Sequence, residues 1–333
     1  MVKKETSKIL RGVAILIVIA SHYAEWMGEG NAVHPALAHA VSTWGPLGVD
    51  AFMLLSGYGL YKSADKNGIS LSFVWRRLSA SYIPYLLVAT VLALITHELQ
   101  PTNLGWVYNF LTAQDYWFMS VLMVMYLAFI ICFRLFKKLR IPVLTVLVAA
   151  FSVWLYYSGH MDFWTLSNHS FVLGAAAAAA EIRFPKLFTR RNLLLVTIGA
   201  LALAVAAFFL KQKNGGSGID ESYEAELVMN VFISTAVMSG AYLLPDIELR
   251  LLGLIGEASL FIYVLHTTMF YAIIFKLEKL GYTLGTVITG IITMALAVLL
   301  FKLYSVFSKY VLTRIKKKLK KRFGAGRDLY YYL

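Results

Sequence analysis

Apolar residues along this chain are grouped into long runs that are separated by short polar breaks. A transmembrane helix needs ~20 mostly apolar residues, with ~17–25 tolerated. Judged by that length, the pattern predicts an all-α, polytopic membrane bundle of about ten transmembrane helices. These lie near residues 9–27, 46–62, 79–97, 116–135, 141–158, 165–182, 192–210, 226–244, 256–275 and 283–306.

The lysines and arginines in the polar breaks are distributed very unevenly. If the N-terminus is cytoplasmic, 27 of the 31 basic residues fall in cytoplasmic segments and 4 fall on the other side. Basic residues accumulate in cytoplasmic loops of membrane proteins. We therefore expect both termini in the cytoplasm, an even number of spans, and a multi-pass protein of the plasma or inner membrane.

Composition supports a membrane protein and argues against several other classes. The chain has 333 residues, of which 59% are hydrophobic and 15% charged, whereas soluble chains average about 25% charged. The net charge of +13 is concentrated on the cytoplasmic side, so we predict no nucleic-acid partner. The one cysteine, Cys132, lies in an apolar run and is interpreted as a packing residue. We expect no metal site.

The C-terminal end of the chain is strongly basic. Residues 314–322 read Arg-Ile-Lys-Lys-Lys-Leu-Lys-Lys-Arg. Such juxtamembrane clusters are attracted to anionic lipid by about 1 kcal/mol per charge. We predict a transmembrane domain over residues 1–312 and a basic, lipid-binding cytoplasmic tail over residues 313–333. A homo-oligomeric state is left open.

Two histidines lie inside predicted spans, where an ionisable side chain is a functional-site candidate. His22 follows Arg11 by eleven residues, or ~16 Å along one helix, and both side chains fall on nearly the same face. Asp50 enters the second span at about the depth of His22 and could orient its imidazole, making it a base. His266 lies mid-span in the ninth run. Simpler interpretations also stand: Arg11 as a membrane-interface anchor, His22 as a satisfied core residue, and Asp50 as a helix cap.

Further candidates for binding lie at the membrane boundaries. Arg76 and Arg77 end the second cytoplasmic loop, where they could hold phosphate oxygens or simply mark topology. Trp117 opens the fourth span and could line a site or belong to the interfacial aromatic belt. Trp117 and Tyr58 are the candidate substrate-binding residues.

Four motifs together resemble acyltransferase family 3, the membrane proteins that acylate cell-surface glycans. They are Leu10-Arg-Gly-Val-Ala-Ile15 with Ser21-His22, Gly48-Val-Asp-Ala-Phe-Met-Leu-Leu-Ser-Gly-Tyr58, Phe73-Val-Trp-Arg-Arg77 with Ile83-Pro84, and Ile262-Tyr-Val-Leu-His266. The family's Arg-x10-His pattern corresponds to Arg11 and His22, and its arginine pair to Arg76 and Arg77. Many members carry a glutamate shortly after the tryptophan of the fourth span, which this chain lacks after Trp117.

The resemblance implies an enzyme that transfers acetyl or another short acyl group from cytoplasmic acyl-CoA to an extracytoplasmic carbohydrate. On this hypothesis His22, oriented by Asp50, deprotonates a sugar hydroxyl or itself carries the acyl group. Arg11, Arg76 and Arg77 bind the CoA phosphates, and His266 is a third catalytic candidate. The alternative is a transporter or flippase of an acylated metabolite or a lipid-linked sugar, in which the intramembrane histidines relay protons.

Overall fold

The structure is a computed structural model that describes residues 2–29, 34–160, 162–213, 223–274 and 282–323. Within these ranges the chain is almost entirely helical, as the apolar runs predict. The helices are α1 (Lys4–Glu29), α2 (Pro35–Ser42), α3 (Gly45–Asn67), α4 (Leu71–Arg77), α5 (Ile83–Ile95), α6 (Leu104–Thr112), α7 (Trp117–Leu135), α8 (Arg140–Tyr157), α9 (Asn168–Arg183), α10 (Arg190–Lys213), α11 (Tyr223–Leu243), α12 (Arg250–Glu257), α13 (Ser259–Ile274) and α14 (Tyr282–Phe323).

Seven stretches in the described part of the chain are long and apolar enough to cross a membrane, or eight if the bent pair α12–α13 crosses as one span. Each of the ten predicted runs coincides with helical structure, but α3 and α9 do not meet that criterion. The helix α9 has 16 residues, and α3 carries several charged residues. The structure thus supports seven or eight spans, and the count of ten stays a prediction.

Glycines allow the central helices to touch backbone to backbone. A Cβ added at Gly57 of α3 would collide with the Phe171 carbonyl, and one at Gly174 of α9 would collide with the Leu54 carbonyl. Gly256 of α12 is pressed in the same way against the carbonyl of Lys8 in α1. Small residues permit this close approach. In a membrane the lipid tails are as apolar as the helix surfaces, so helices associate through such close packing and not through the hydrophobic effect. The contacts fix α3 on α9 and α12 on α1.

Helical geometry is interrupted at two places that lie close to basic residues. One directly follows Arg77 of α4, and the other is at Glu257, which contacts Lys8 of α1. A π-helical segment, Leu78–Tyr82, joins α4 to α5. The axes of α12 and α13 differ by 73° at the break between Glu257 and Ser259. Single-turn π-helical segments inside helices are frequently found at functional sites.

The predicted basic tail begins within the last helix. The backbone of α14 continues without a break past residue 312 to Phe323. Arg314 is exposed, and its guanidinium lies 4.6 Å from the centroid of the Tyr310 ring. The other basic side chains of the tail, and residues 324–333 altogether, lie outside the described residues. Lipid binding by the tail stays a prediction.

Candidate active site

The two intramembrane histidines face each other across helices α1 and α13. Nδ1 of His22 lies 2.7 Å from Nε2 of His266, and the ring centroids are 5.0 Å apart. His266 is only 2% exposed, and His22 is half-buried. The structure therefore unites two residues that stand 244 positions apart in the sequence.

Hydrogen bonding determines which nitrogen of each ring carries the proton. Nδ1 of His266 lies 2.6 Å from the backbone carbonyl oxygen of Tyr263. A carbonyl can only accept, so Nδ1 of a neutral His266 carries the hydrogen and its Nε2 is an acceptor. His22 then donates from Nδ1 to His266, which leaves the lone pair on His22 Nε2 available. This arrangement can extract a proton from a nearby hydroxyl.

Aromatic rings surround the histidine pair. The ring of Trp26 lies 5.7 Å from that of His22 and 6.2 Å from that of His266, measured between centroids. Phe270 lies 4.4 Å from Trp26, and Tyr263 lies 5.8 Å from His266. These rings present an amphipathic surface next to the imidazoles.

Asp50 is not placed to orient His22, contrary to what its position in the sequence suggested. Its Oδ1 accepts a hydrogen bond of 2.8 Å from Ser170 of α9 and lies 4.0 Å from Nε2 of His169. The helix explains this, because Gly48 packs against α1. Residue 50 is turned by about 200° from residue 48 and therefore faces away from α1. The partner of His22 is His266 instead.

The arginines of the Arg11 motif and of the Arg76–Arg77 motif divide into two groups. Arg11 and Arg77 are both half-buried, and both lie within electrostatic range of Tyr126. The Arg77 guanidinium also lies 5.3 Å from the centroid of the Phe73 ring. Arg76 is exposed and lies within electrostatic range of Arg77. The structure thus places half-buried Arg11 and Arg77 within range of one tyrosine and leaves Arg76 exposed.

A cavity of about 620 Å³ opens beside Arg11. Its described wall carries four basic side chains and one carboxylate: Lys4, Lys8, Arg11, Lys309 and Glu257. The apolar part of the wall includes Pro84, Phe261 and Phe301. Ligand pockets commonly measure about 300–1,000 Å³, so this cavity is large enough for a substantial part of an organic anion.

Comparison with known families decides what kind of protein this is. Residues 7–302 match the family described as an acyltransferase domain, acyltransferase family 3. The chain belongs to acyltransferase family 3. It is therefore a membrane-bound transferase, and the match includes both histidines, Arg11 and the arginine pair. Comparisons with curated proteins and with solved structures gave no match.

The two candidate substrate-binding residues of this family 3 protein lie in different surroundings. The Tyr58 hydroxyl donates to Oε2 of Glu181 at 2.7 Å and accepts from the backbone N–H of Val2 at 3.1 Å. Lys62 pairs with the same carboxylate, so Tyr58 belongs to a polar cluster separate from the histidines. The Trp117 ring lies 5.0 Å from that of Phe163, next to the aromatic residues that lead to Tyr263.

Sequence reasoning missed several residues of this family 3 site. Tyr126 and Glu257 gave no local signal, because their importance comes from contacts between distant segments. Trp26 could have been found, since it follows His22 by four residues and must share its helix face. The described residues hold no group of three or more potential metal ligands.

Proposed function

We propose that this family 3 protein transfers an acetyl or another short acyl group from cytoplasmic acyl-CoA to a hydroxyl of an extracytoplasmic glycan in the cell membrane. The observation that carries the proposal is the His22–His266 pair, whose hydrogen bonds leave Nε2 of His22 free to act as a base. The cation-lined cavity is walled in part by Arg11, which lies ~16 Å from His22 along the same helix.

The donor binds with its phosphates toward the cytoplasmic cations. Lys4, Lys8 and Arg11 line the cavity, and Arg77 lies within electrostatic range of the same Tyr126 as Arg11. Charge-assisted hydrogen bonds from guanidinium to phosphate are among the strongest available in proteins. Phosphate binding is predicted for both Arg76 and Arg77. We assign it chiefly to Arg77, because Arg76 is exposed. The acyl-pantetheine arm extends from these cations along α1 toward His22.

His22 acts as a general base and His266 holds it in place. Nε2 of His22 takes the proton of the acceptor hydroxyl, and the hydroxyl oxygen bonds to the thioester carbonyl carbon. The carbon–sulfur bond then breaks, and the CoA thiolate leaves with the proton from His22. The bond from His22 Nδ1 to His266 strengthens while His22 is positive, so it favours the transition state over the ground state.

The acceptor approaches the aromatic side of the histidine pair. Trp26 and Phe270 offer ring faces, and Trp117 extends the aromatic region away from His266. Sugar rings present apolar C–H faces, which suit aromatic surfaces with nearby polar groups. A carbohydrate hydroxyl placed there lies next to the base.

Two helices complete the membrane topology that the mechanism needs. We include α3 and α9 as spans, which gives ten crossings and cytoplasmic termini. The crossing of α3 and α9 is supported by the glycine contacts that hold these two helices together. The cytoplasmic termini are supported by the charge distribution, because they assign 27 basic residues to the cytoplasmic side and 4 to the other side. This orientation places the cation-lined cavity on the side where acyl-CoA is made.

The test is turnover of labelled acetyl-CoA by purified protein with a cell-envelope glycan extract. General-base assistance contributes ~10²–10⁴ to a rate, so His22→Ala should lose at least a hundredfold in kcat. His39→Ala is the matched control, because that histidine is exposed, and it should retain normal turnover. Turnover by His22→Ala at the wild-type rate would refute the proposal. Binding of acetyl-CoA without turnover by the wild type would favour a carrier.

A further inference from the structure

Glu257 places a negative charge inside the cation-lined cavity. Its Oε1 lies 3.0 Å from Nζ of Lys8, whose ammonium also pairs with Glu5 at 3.0 Å. Arg11 lies within electrostatic range of the same Glu257 carboxylate. Among the described residues of the wall, Glu257 is the one carboxylate, and it shares the cavity with four basic side chains.

The Glu257 carboxylate has the same negative charge as the phosphate groups of the proposed ligand. An acyl-CoA carries several negative charges on its phosphate groups. These would bind the Lys8 ammonium that Glu257 now contacts and the nearby Arg11 guanidinium. Like charges a few ångströms apart repel strongly near a protein surface. A phosphate and the Glu257 carboxylate therefore compete for Lys8 and Arg11.

The backbone around Glu257 is held, but its side chain has room to turn. Gly256 is pressed against the carbonyl of Lys8, and Gly12 against that of Leu252, so α12 cannot slide along α1. The Glu257 side chain is 35% exposed and borders the open cavity. An exchange of partners can therefore proceed by rotation of a side chain without movement of either helix.

We propose that Glu257 is a built-in counter-ion of the donor cavity, which occupies the Lys8 ammonium until a phosphate group of the donor replaces it. This inference rests on the proposed function, because it assumes that the cavity binds acyl-CoA. Glu257 lowers donor affinity in proportion to the negative charge of the donor. When a phosphate group of CoA leaves, Glu257 pairs with Lys8 again. This renewed ion pair favours release of the CoA product.

The experiment measures binding of CoA and of 3′-dephospho-CoA to purified protein by isothermal titration calorimetry at low and high salt. Glu257→Gln keeps the shape of the side chain and removes its charge. Glu248→Gln is the matched control, since Glu248 is 64% exposed and pairs with Arg250 outside this cavity. We expect Glu257→Gln to bind CoA about tenfold more tightly at low salt, the order of one unit charge at short range.

The expected pattern has three further parts. The gain should be smaller for 3′-dephospho-CoA, it should shrink at high salt because of screening, and Glu248→Gln should stay within about twofold of the wild type. Unchanged CoA binding by Glu257→Gln would overturn the inference, and weaker binding would overturn it and make Glu257 a positioning residue for Lys8. If the wild type binds no CoA, the proposed function fails as well, so the two failures are distinguishable.

Discussion

Replacing His266 by leucine removes the acceptor for the Nδ1–H of His22 and leaves the ring volume largely filled. The bond is short, 2.7 Å, and its acceptor side chain is 2% exposed, so little water is available to replace it. In the transition state His22 is positively charged, and hydrogen bonds that involve a charged group contribute about 1.5–3 kcal/mol. At 1.36 kcal/mol per factor of ten, kcat should fall roughly 10- to 150-fold.

The assay separates a positioning role for His266 from a merely structural one. We expect kcat for labelled acetyl-CoA to fall in His266→Leu while its KM stays near the wild-type value, because the cations of the donor cavity lie elsewhere. His266→Gln should recover part of kcat, since its amide oxygen can accept from His22. Thermal melting should show that all three proteins are folded. A kcat within twofold of wild type for His266→Leu would refute the reasoning.

Two further predictions follow from the arginines and the glycines. Arg77→Ala should raise the KM for acetyl-CoA at least tenfold, whereas Arg76→Ala should change it less than threefold because Arg76 is exposed; equal effects would contradict the division of the pair. Gly57→Leu should abolish folding or lower the Tm sharply, because the side chain would overlap the backbone of α9. Gly59→Ala, which meets no atom within 4 Å, is the control and should melt like the wild type. A normal Tm for Gly57→Leu would contradict the close α3–α9 contact.

The sequence predicted the elements of this fold better than their arrangement. Runs of about 20 apolar residues identify helices because a membrane span must satisfy its backbone internally. In the part of the chain that the structure describes, each of the ten runs coincides with helical structure. Two of them, α3 and α9, do not meet the criteria for a span, although α3 with 23 residues is long enough and only α9 with 16 is short. Packing against neighbouring helices, which a single sequence does not reveal, allows such helices to be short or polar.

In the site, too, contacts within one helix could be predicted from the sequence, whereas contacts between helices could not. Arg11 and His22 could be recognised because their spacing lies on one helix, where geometry follows from the sequence. The partner of His22 could not, because the rotation of α3 about its axis decides where Asp50 points. Gly48 sets that rotation by packing against α1, and only the assembled bundle shows it.

Sidedness of the reaction tests the central claim most directly. Labelled acetyl-CoA is added to inside-out and to right-side-out membrane vesicles that carry the wild type or His22→Ala, and the label in glycan is counted. We predict labelled glycan only from inside-out vesicles with the wild type, where the cation-lined cavity faces the added donor. Equal labelling by His22→Ala, or labelling from right-side-out vesicles, would contradict the account.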